Sequence, residues 1–176
     1  MNKIRKILIS AFLLASCIVL SRFLSIRTPI ISIGFSFVPL MLVAIILGPK
    51  YSILIGGLSD LIGALLFPTG AYFPGFTLSG LLTGLIYGLF LYNKDKLIVN
   101  KKYLFKLIIS VVLVTFLVNG VLNTIWVIII TNNAAKIIIP IRILKQLIMA
   151  PIEVITMYLL TKSLENKINE LRENND

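Results

Sequence analysis

With 176 residues, 58% of them hydrophobic and only 14% charged, and a mean hydropathy of +1.00, the chain lies outside the range of soluble domains, which run about 45–50% apolar and about 25% charged. A formal charge of +10 could suit nucleic acid, but the basic residues fall mainly in the segments between apolar stretches, where they act as membrane-topology signals, so nucleic acid is excluded. The absence of histidine rules out His-Glu-x-x-His zinc sites and histidine triads. With no Walker-type phosphate loop and no carboxylate pair suited to glycoside chemistry, nothing supports an enzyme, a metal site or a bound cofactor.

A spanning helix needs roughly 20 mostly apolar residues. Six stretches qualify, at about 7–26, 32–48, 51–67, 75–92, 103–131 and 137–162. The expected fold is an all-α integral membrane protein, a bundle of six transmembrane helices forming one domain over 1–176, with N- and C-termini cytoplasmic. The first stretch lacks a small-residue cleavage site and is long enough to span, so it reads as a helix of the bundle and not as a cleaved signal. It carries Ala11 and Ala15 at a spacing of four, which lets two backbones approach closely, either inside the bundle or against a partner. Cys17, the single cysteine, excludes an internal disulfide and reads as a small apolar residue.

The second stretch begins irregularly, from Arg27-Thr28-Pro29 to Val38-Pro39, as an outer loop dipping toward the bundle; non-helical backbone at that depth needs protein or water to cover it. Gly48-Pro49-Lys50 makes a tight inner turn. The third helix carries Asp60 and is broken by Pro68 and Gly70, and the aromatic loop Tyr72-Phe73-Pro74-Gly75-Phe76 follows. Gly80, Gly84 and Gly88 then line one face of the fourth helix for close packing. Residues 93–102 read as a solvated inner loop.

In the fifth helix Thr115, Asn119, Asn123 and Trp126 recur on one face. In the sixth, Arg142, Lys145, Gln146 and Met149 form a matching stripe behind Pro140, a suitable first-turn residue. Asn123, Lys145 and Asp60 each lie about eight residues, roughly 12 Å, below the outer ends of their helices. Polar groups in lipid are costly and are paired or line a cavity.

Twelve of the 17 basic residues fall on the inner side, as the positive-inside rule requires. Arg22, Arg27, Lys136, Arg142 and Lys145 do not; Lys136 reads as a solvated loop charge. Asp60 is a candidate for an internal ion pair with Lys145 or Arg142. Set against Asp60 alone, these cations leave an excess whose complement is an anionic ligand from outside. Arginine matches a carboxylate with its planar fork, asparagines offer donors and an acceptor to a heteroaromatic edge, and Trp126, Tyr72, Phe73 and Phe76 offer faces for stacking. A purely structural polar network is the competing reading. Glu153, deeper in the sixth helix, is expected beyond this pocket, paired with an inner lysine or reaching the inner interface.

The six spans, the Ala11/Ala15 spacing, the 48–50 turn and above all Asp60 to Gly80 make the chain resemble the folate-type substrate-binding (S) components of energy-coupling-factor (ECF) vitamin transporters. That resemblance implies a folate-binding S component in the bacterial cell membrane. It implies folate, or a related anionic vitamin, held by Arg22, Arg27, Tyr72, Phe73, Asn119, Asn123, Trp126, Arg142 and Lys145. It also implies docking through Ala11 and Ala15 on a transmembrane scaffold (T) subunit, with ATP used by two partner ATPase subunits and no cofactor in this chain. An S component for another vitamin, or a stand-alone proton-coupled carrier using Asp60 or Glu153, is the alternative.

Overall fold

The computed structural model describes residues 2–27, 32–68, 72–94, 96–131 and 135–173, with backbone alone for Arg27, Ser32, 135–137 and Glu173. Among these residues the helices are α1 (Lys3–Arg22), α2 (Phe37–Leu47), α3 (Pro49–Leu66), α4 (Pro74–Leu91), α5 (Lys101–Val112), α6 (Asn123–Thr131) and α7 (Ala135–Glu173). A π-helical segment, Leu113–Leu122, joins α5 to α6, so Lys101–Thr131 runs as one helical body. Six helical bodies result. Four helices are long and apolar enough to cross a membrane: Lys3–Arg22, Pro74–Leu91, Lys101–Thr131 and Ile138–Arg172, with Phe37–Leu47 a shorter apolar helix.

The boundaries follow local chemistry. Gly48, at φ +87°, ends α2 in a conformation favourable to glycine, and Pro49 starts α3 at the position where its missing N–H costs nothing. Phe73 is extended ahead of Pro74, which opens α4. Asn100 caps α5, its side chain accepting from the Tyr103 N–H at 2.9 Å.

Several expectations change. The first helix spans Lys3–Arg22 and not 7–26, because the chain turns after Arg22 into a short antiparallel pair, Ile26–Arg27 (β1) with Ser32–Ile33 (β2), in register Ile26↔Ile33. This strand pair satisfies part of the backbone between the first two helices, a small departure from a wholly helical chain, and the second helix starts only at Phe37. The last helix runs from Ala135 to Glu173 and not over 137–162, leaving Pro140 and Pro151 inside it. At 1.5 Å per residue its 39 residues span roughly 58 Å, well beyond a hydrocarbon core of about 30 Å. Its C-terminal turns clamp the loop between α4 and α5. Asn169 accepts from the Leu97 N–H at 2.8 Å and donates to the Leu97 carbonyl at 2.9 Å, Glu165 accepts from the Val99 N–H at 3.2 Å, and Arg172 lies 5.3 Å over the Tyr92 ring. The loop is therefore pinned through buried Leu97, while its lysines stay exposed.

Helix α2 is the centre of the bundle, flanked by α1, α3, α4 and α7, and its Met41, Val43, Ala44 and Ile45 are fully buried. Close packing of α3 on α4 absorbs the glycines. A Cβ on Gly56 would overlap the Gly80 carbonyl, one on Gly84 the Ser52 carbonyl, and one on Gly88 the Cα of Pro49. The Ser52 hydroxyl crosses to the Gly84 carbonyl at 2.7 Å. Without a hydrophobic driving force between helices in lipid, such backbone proximity is what holds them.

Candidate functional site

Between the helices lies an open cavity of about 640 Å³, within the range of small-molecule sites, about 300–1,000 Å³. Its walls come from the end of α1 and the loop after it (Cys17, Ser21, Arg22, Ser25), from α3 (Ser59, Asp60), from the aromatic loop and α4 (Tyr72, Phe73, Phe76, Ser79, Thr83, Tyr87), from the fifth helical body (Val114, Asn119, Asn123) and from α7 (Arg142, Lys145, Met149, Glu153).

Arg22 and Asp60 form an ion pair. The guanidinium lies 3.6 Å from the Asp60 carboxylate and donates to the Asp60 carbonyl at 3.3 Å. Its Nε sits where a Cβ on Gly63 would meet it at 2.7 Å, so glycine opens the surface of α3 to the guanidinium. Thr77 donates to the other Asp60 oxygen at 2.9 Å and shares a 3.1 Å hydrogen bond with the Tyr72 hydroxyl. Asp60 is thus an ion-pair residue, but its partner is Arg22 from α1; Lys145 and Arg142 belong to another wall.

On α7, Arg142, Lys145, Met149 and Glu153 all face the cavity, at spacings that keep them on one side of a helix. Arg142 is buried and donates to the Asn119 carbonyl at 3.2 Å. Neither Lys145 nor Glu153 has an ion-pair partner among the described residues. Facing them, Asn123 donates to the Asn119 side-chain oxygen at 2.9 Å, which leaves its own buried Oδ1 without a partner among the described residues. The π-helical segment carries Thr115 and Asn119; such wider turns are rare and occur frequently at functional sites.

Trp126 does not line the cavity. Its ring packs 5.5 Å from Phe73, and its indole N–H donates at 3.1 Å to Ser79, which does line it. Gly75 makes room, since a Cβ there would strike both rings. Trp126 therefore backs the wall that Phe73 and Ser79 present. Tyr72 lines the cavity while 41% exposed, as a residue at its mouth would be. The side chains of Arg27 and Lys136 lie outside the described residues.

Glu153 is the main correction. It lines the cavity and is 7% exposed, with Thr115 donating to it at 3.5 Å. The cavity reaches deeper than the level set by Asp60, Asn123 and Lys145, and its far end holds Tyr87, Val114, Met149 and Glu153. Among the described residues the charged lining is then three cations against two carboxylates, a smaller excess than the outer-level count suggests. Thr77, Ser79 and Gly63 carry no charge to flag them, although Ser79 and Thr83 share the α4 spacing that places both on the cavity side. Ala11 and Ala15 lie on the exposed side of α1 with Leu8 and Phe12, opposite buried Leu13 and Cys17.

Residues 1–166 match the family model described as "ECF-type riboflavin transporter, S component". The folate transporter FolT of Clostridium novyi (strain NT) is 43% identical over 158 residues, covering 90% of this chain and 88% of that protein. The folate transporter FolT of Leuconostoc mesenteroides is 35% identical over 162 residues, covering 89% and 84%. The crystal structure of FolT bound with folic acid superposes with a TM-score of 0.77 at 36% identity, covering 86% of this chain and 88% of that one. The S component of a bacterial ECF transporter, at 24% identity and a TM-score of 0.70 over 95% of this chain and 99% of that one, shares the fold. Bundle, cavity and relatives agree: the chain belongs to the S components of ECF-type transporters, a family of multi-pass membrane transport subunits and not of enzymes.

Proposed function

We propose that this chain is the folate-binding S component of an ECF importer in the bacterial plasma membrane. Its termini are cytoplasmic, its cavity opens outward, and the vitamin is passed on through a scaffold subunit driven by two ATPases, with no cofactor held in this chain. The observation that carries the reading is the cavity itself, which pairs Arg142 and Lys145 on one wall with amides and aromatic rings on the facing ones. Folate has two carboxylates for the cationic groups of Arg142, Lys145 and Arg27, and a hydrogen-bonding ring edge for Asn119 and Asn123. Its flat rings suit Phe73 and Tyr72, with Trp126 stiffening that wall. Arg22, already paired with Asp60, contributes by holding the mouth together.

Riboflavin, named in the description of the matching family model, has no carboxylate and would set a neutral ligand against Lys145, which has no ion-pair partner among the described residues, at the cost of an uncompensated buried charge. At about 0.3 kcal/mol per non-hydrogen atom, a ligand of roughly thirty such atoms gains about 9 kcal/mol, enough for sub-micromolar capture. The exposed Ala11/Ala15 face of α1 supports a role in docking on the scaffold.

The test is uptake into liposomes. Radiolabelled folate should accumulate only when this chain is reconstituted with scaffold and ATPases and given ATP. Accumulation by this chain alone under a pH gradient would point instead to a proton-coupled carrier working through Glu153 or Asp60.

A further inference from the structure

At the end of α4 away from the cavity mouth, the turn into α5 forms a second, smaller crevice of about 130 Å³. Lys96, Lys102 and Lys106 line it, over a floor that includes buried Leu97 and Tyr103. No carboxylate among the described residues lines it. Glu165 reaches this loop from α7, but it accepts from the Val99 N–H at 3.2 Å and lies outside the crevice. The clamp of Asn169 on Leu97 fixes the loop, so the crevice is preformed. Lys102 and Lys106 are four residues apart on α5, both exposed, and neither has an ion pair among the described residues. Like charges at that spacing are neighbours on a helix and repel, so an anion held between them relieves both. Phe105 lies one turn from Lys102 and continues into Ile108 and Val112, an exposed apolar stripe along α5. Charge and stripe therefore adjoin at the edge of the bundle.

We infer that this crevice is a site for an anionic phospholipid of the leaflet opposite the cavity mouth, its phosphate between Lys102 and Lys106 and an acyl chain along Phe105, Ile108 and Val112. On the orientation proposed above that leaflet is the inner one, and the site is independent of the vitamin in the cavity. Lysine binds phosphate as a point charge while its stem lies along apolar surface, and basic pockets at the inner ends of membrane helices suit lipid headgroups. Topology alone accounts for basic residues between spans. It does not call for two unpaired lysines stacked one turn apart over a pinned apolar floor. A free phosphate would use the lysines and leave the stripe idle; a lipid uses both. Held there, it anchors the end of the bundle formed by α4, α5 and the last turns of α7 at the headgroup level.

The test titrates the purified full-length chain in detergent with dioctanoyl phosphatidylglycerol and with dioctanoyl phosphatidylcholine, and counts bound lipid by native mass spectrometry. Each lysine close to an anionic headgroup contributes about fivefold in affinity. Wild type should therefore prefer phosphatidylglycerol by about 20-fold, and Lys102→Gln with Lys106→Gln should reduce the preference to about threefold or less. Lys94→Gln with Lys101→Gln, at exposed positions outside the crevice, should keep it. Equal binding of the two lipids by wild type overturns the site, and so does a preference that survives Lys102→Gln with Lys106→Gln. An equal loss on Lys94→Gln with Lys101→Gln reduces the site to diffuse surface charge and overturns it too. Displacement of phosphatidylglycerol by inorganic phosphate at comparable concentration gives the lysines to a free anion and overturns the lipid. Should the glutamine pair fail to fold, Lys102→Arg with Lys106→Arg decides: retained charge should retain the preference, and its loss refutes a phosphate at these side chains.

Discussion

Replacing Asp60 by Asn separates the pairing seen here from the one the depth argument suggests. The Arg22 side chain is 7% exposed and that of Asp60 27%, with the charges 3.6 Å apart. At an effective dielectric of 20, Coulomb attraction at that distance is about 4–5 kcal/mol. Desolvation of both groups offsets much of it, leaving a coupling of about 1–2 kcal/mol. Asp60→Asn alone should cost more, about 2–3 kcal/mol, because Arg22 then loses the Asp60 charge and one of the two oxygens that Arg22 and Thr77 use becomes a donor. Arg22→Met in the same background should recover about half of that. The assay is a double-mutant cycle on reversible unfolding in mixed detergent micelles, with Lys145→Met as the second arm. Additivity of Arg22 and Asp60 within about 0.5 kcal/mol, or coupling of Asp60 to Lys145 in their place, would refute the pairing.

The other predictions concern packing, docking and ligand charge. Gly84→Leu should push α3 from α4 and cost about 3 kcal/mol or more, because the new side chain meets the Ser52 carbonyl and the backbone of Ile53 and not a flexible side chain; an unchanged melting temperature in detergent would contradict the close approach. Ala11→Trp with Ala15→Trp should abolish co-purification with the scaffold subunit yet leave ligand affinity within about twofold, since neither residue touches the cavity; retained assembly would remove α1 from the interface. Arg142→Ala should weaken folate by about 10–100-fold through loss of a charge-assisted contact, with a smaller effect on a ligand lacking carboxylates, and equal losses would count against a carboxylate at Arg142.

Much of this arrangement is legible in the sequence because lipid imposes simple rules. Apolar runs give the helices, and the intramembrane polar residues Asp60, Asn119, Asn123, Arg142 and Lys145 line one cavity, as the cost of polar groups in lipid requires, while Gln146 of the same α7 stripe is buried away from it. The glycines of α4 signal a close neighbour and find it in α3. What sequence spacing could not give is which polar group meets which. Asp60 and Arg22 become partners because α1 packs beside α3 and Gly63 leaves room for the guanidinium, a fact of neighbourhood and not of depth. Trp126 shares a helical face with Asn119 and Asn123, but the Phe73 ring comes between it and the cavity. Glu153 looks like an inner-side residue when positions are counted along α7, since counting cannot reveal how far a cavity extends downward between helices. The pairing of Ile26–Arg27 with Ser32–Ile33 and the clamp of the Asn169 side chain on the Leu97 backbone depend on hydrogen bonds between separate segments, which leave no periodic mark.

The most direct test of the central claim is a titration of purified protein with folic acid and with riboflavin, following the single tryptophan, Trp126, whose ring packs on the cavity-lining Phe73. Saturable one-to-one quenching by folic acid at sub-micromolar concentration, undisturbed by excess riboflavin, is the expected result. A flat response to micromolar folic acid, or displacement of folic acid by riboflavin at comparable concentration, would contradict a cavity built for a ring with carboxylates at its outer end.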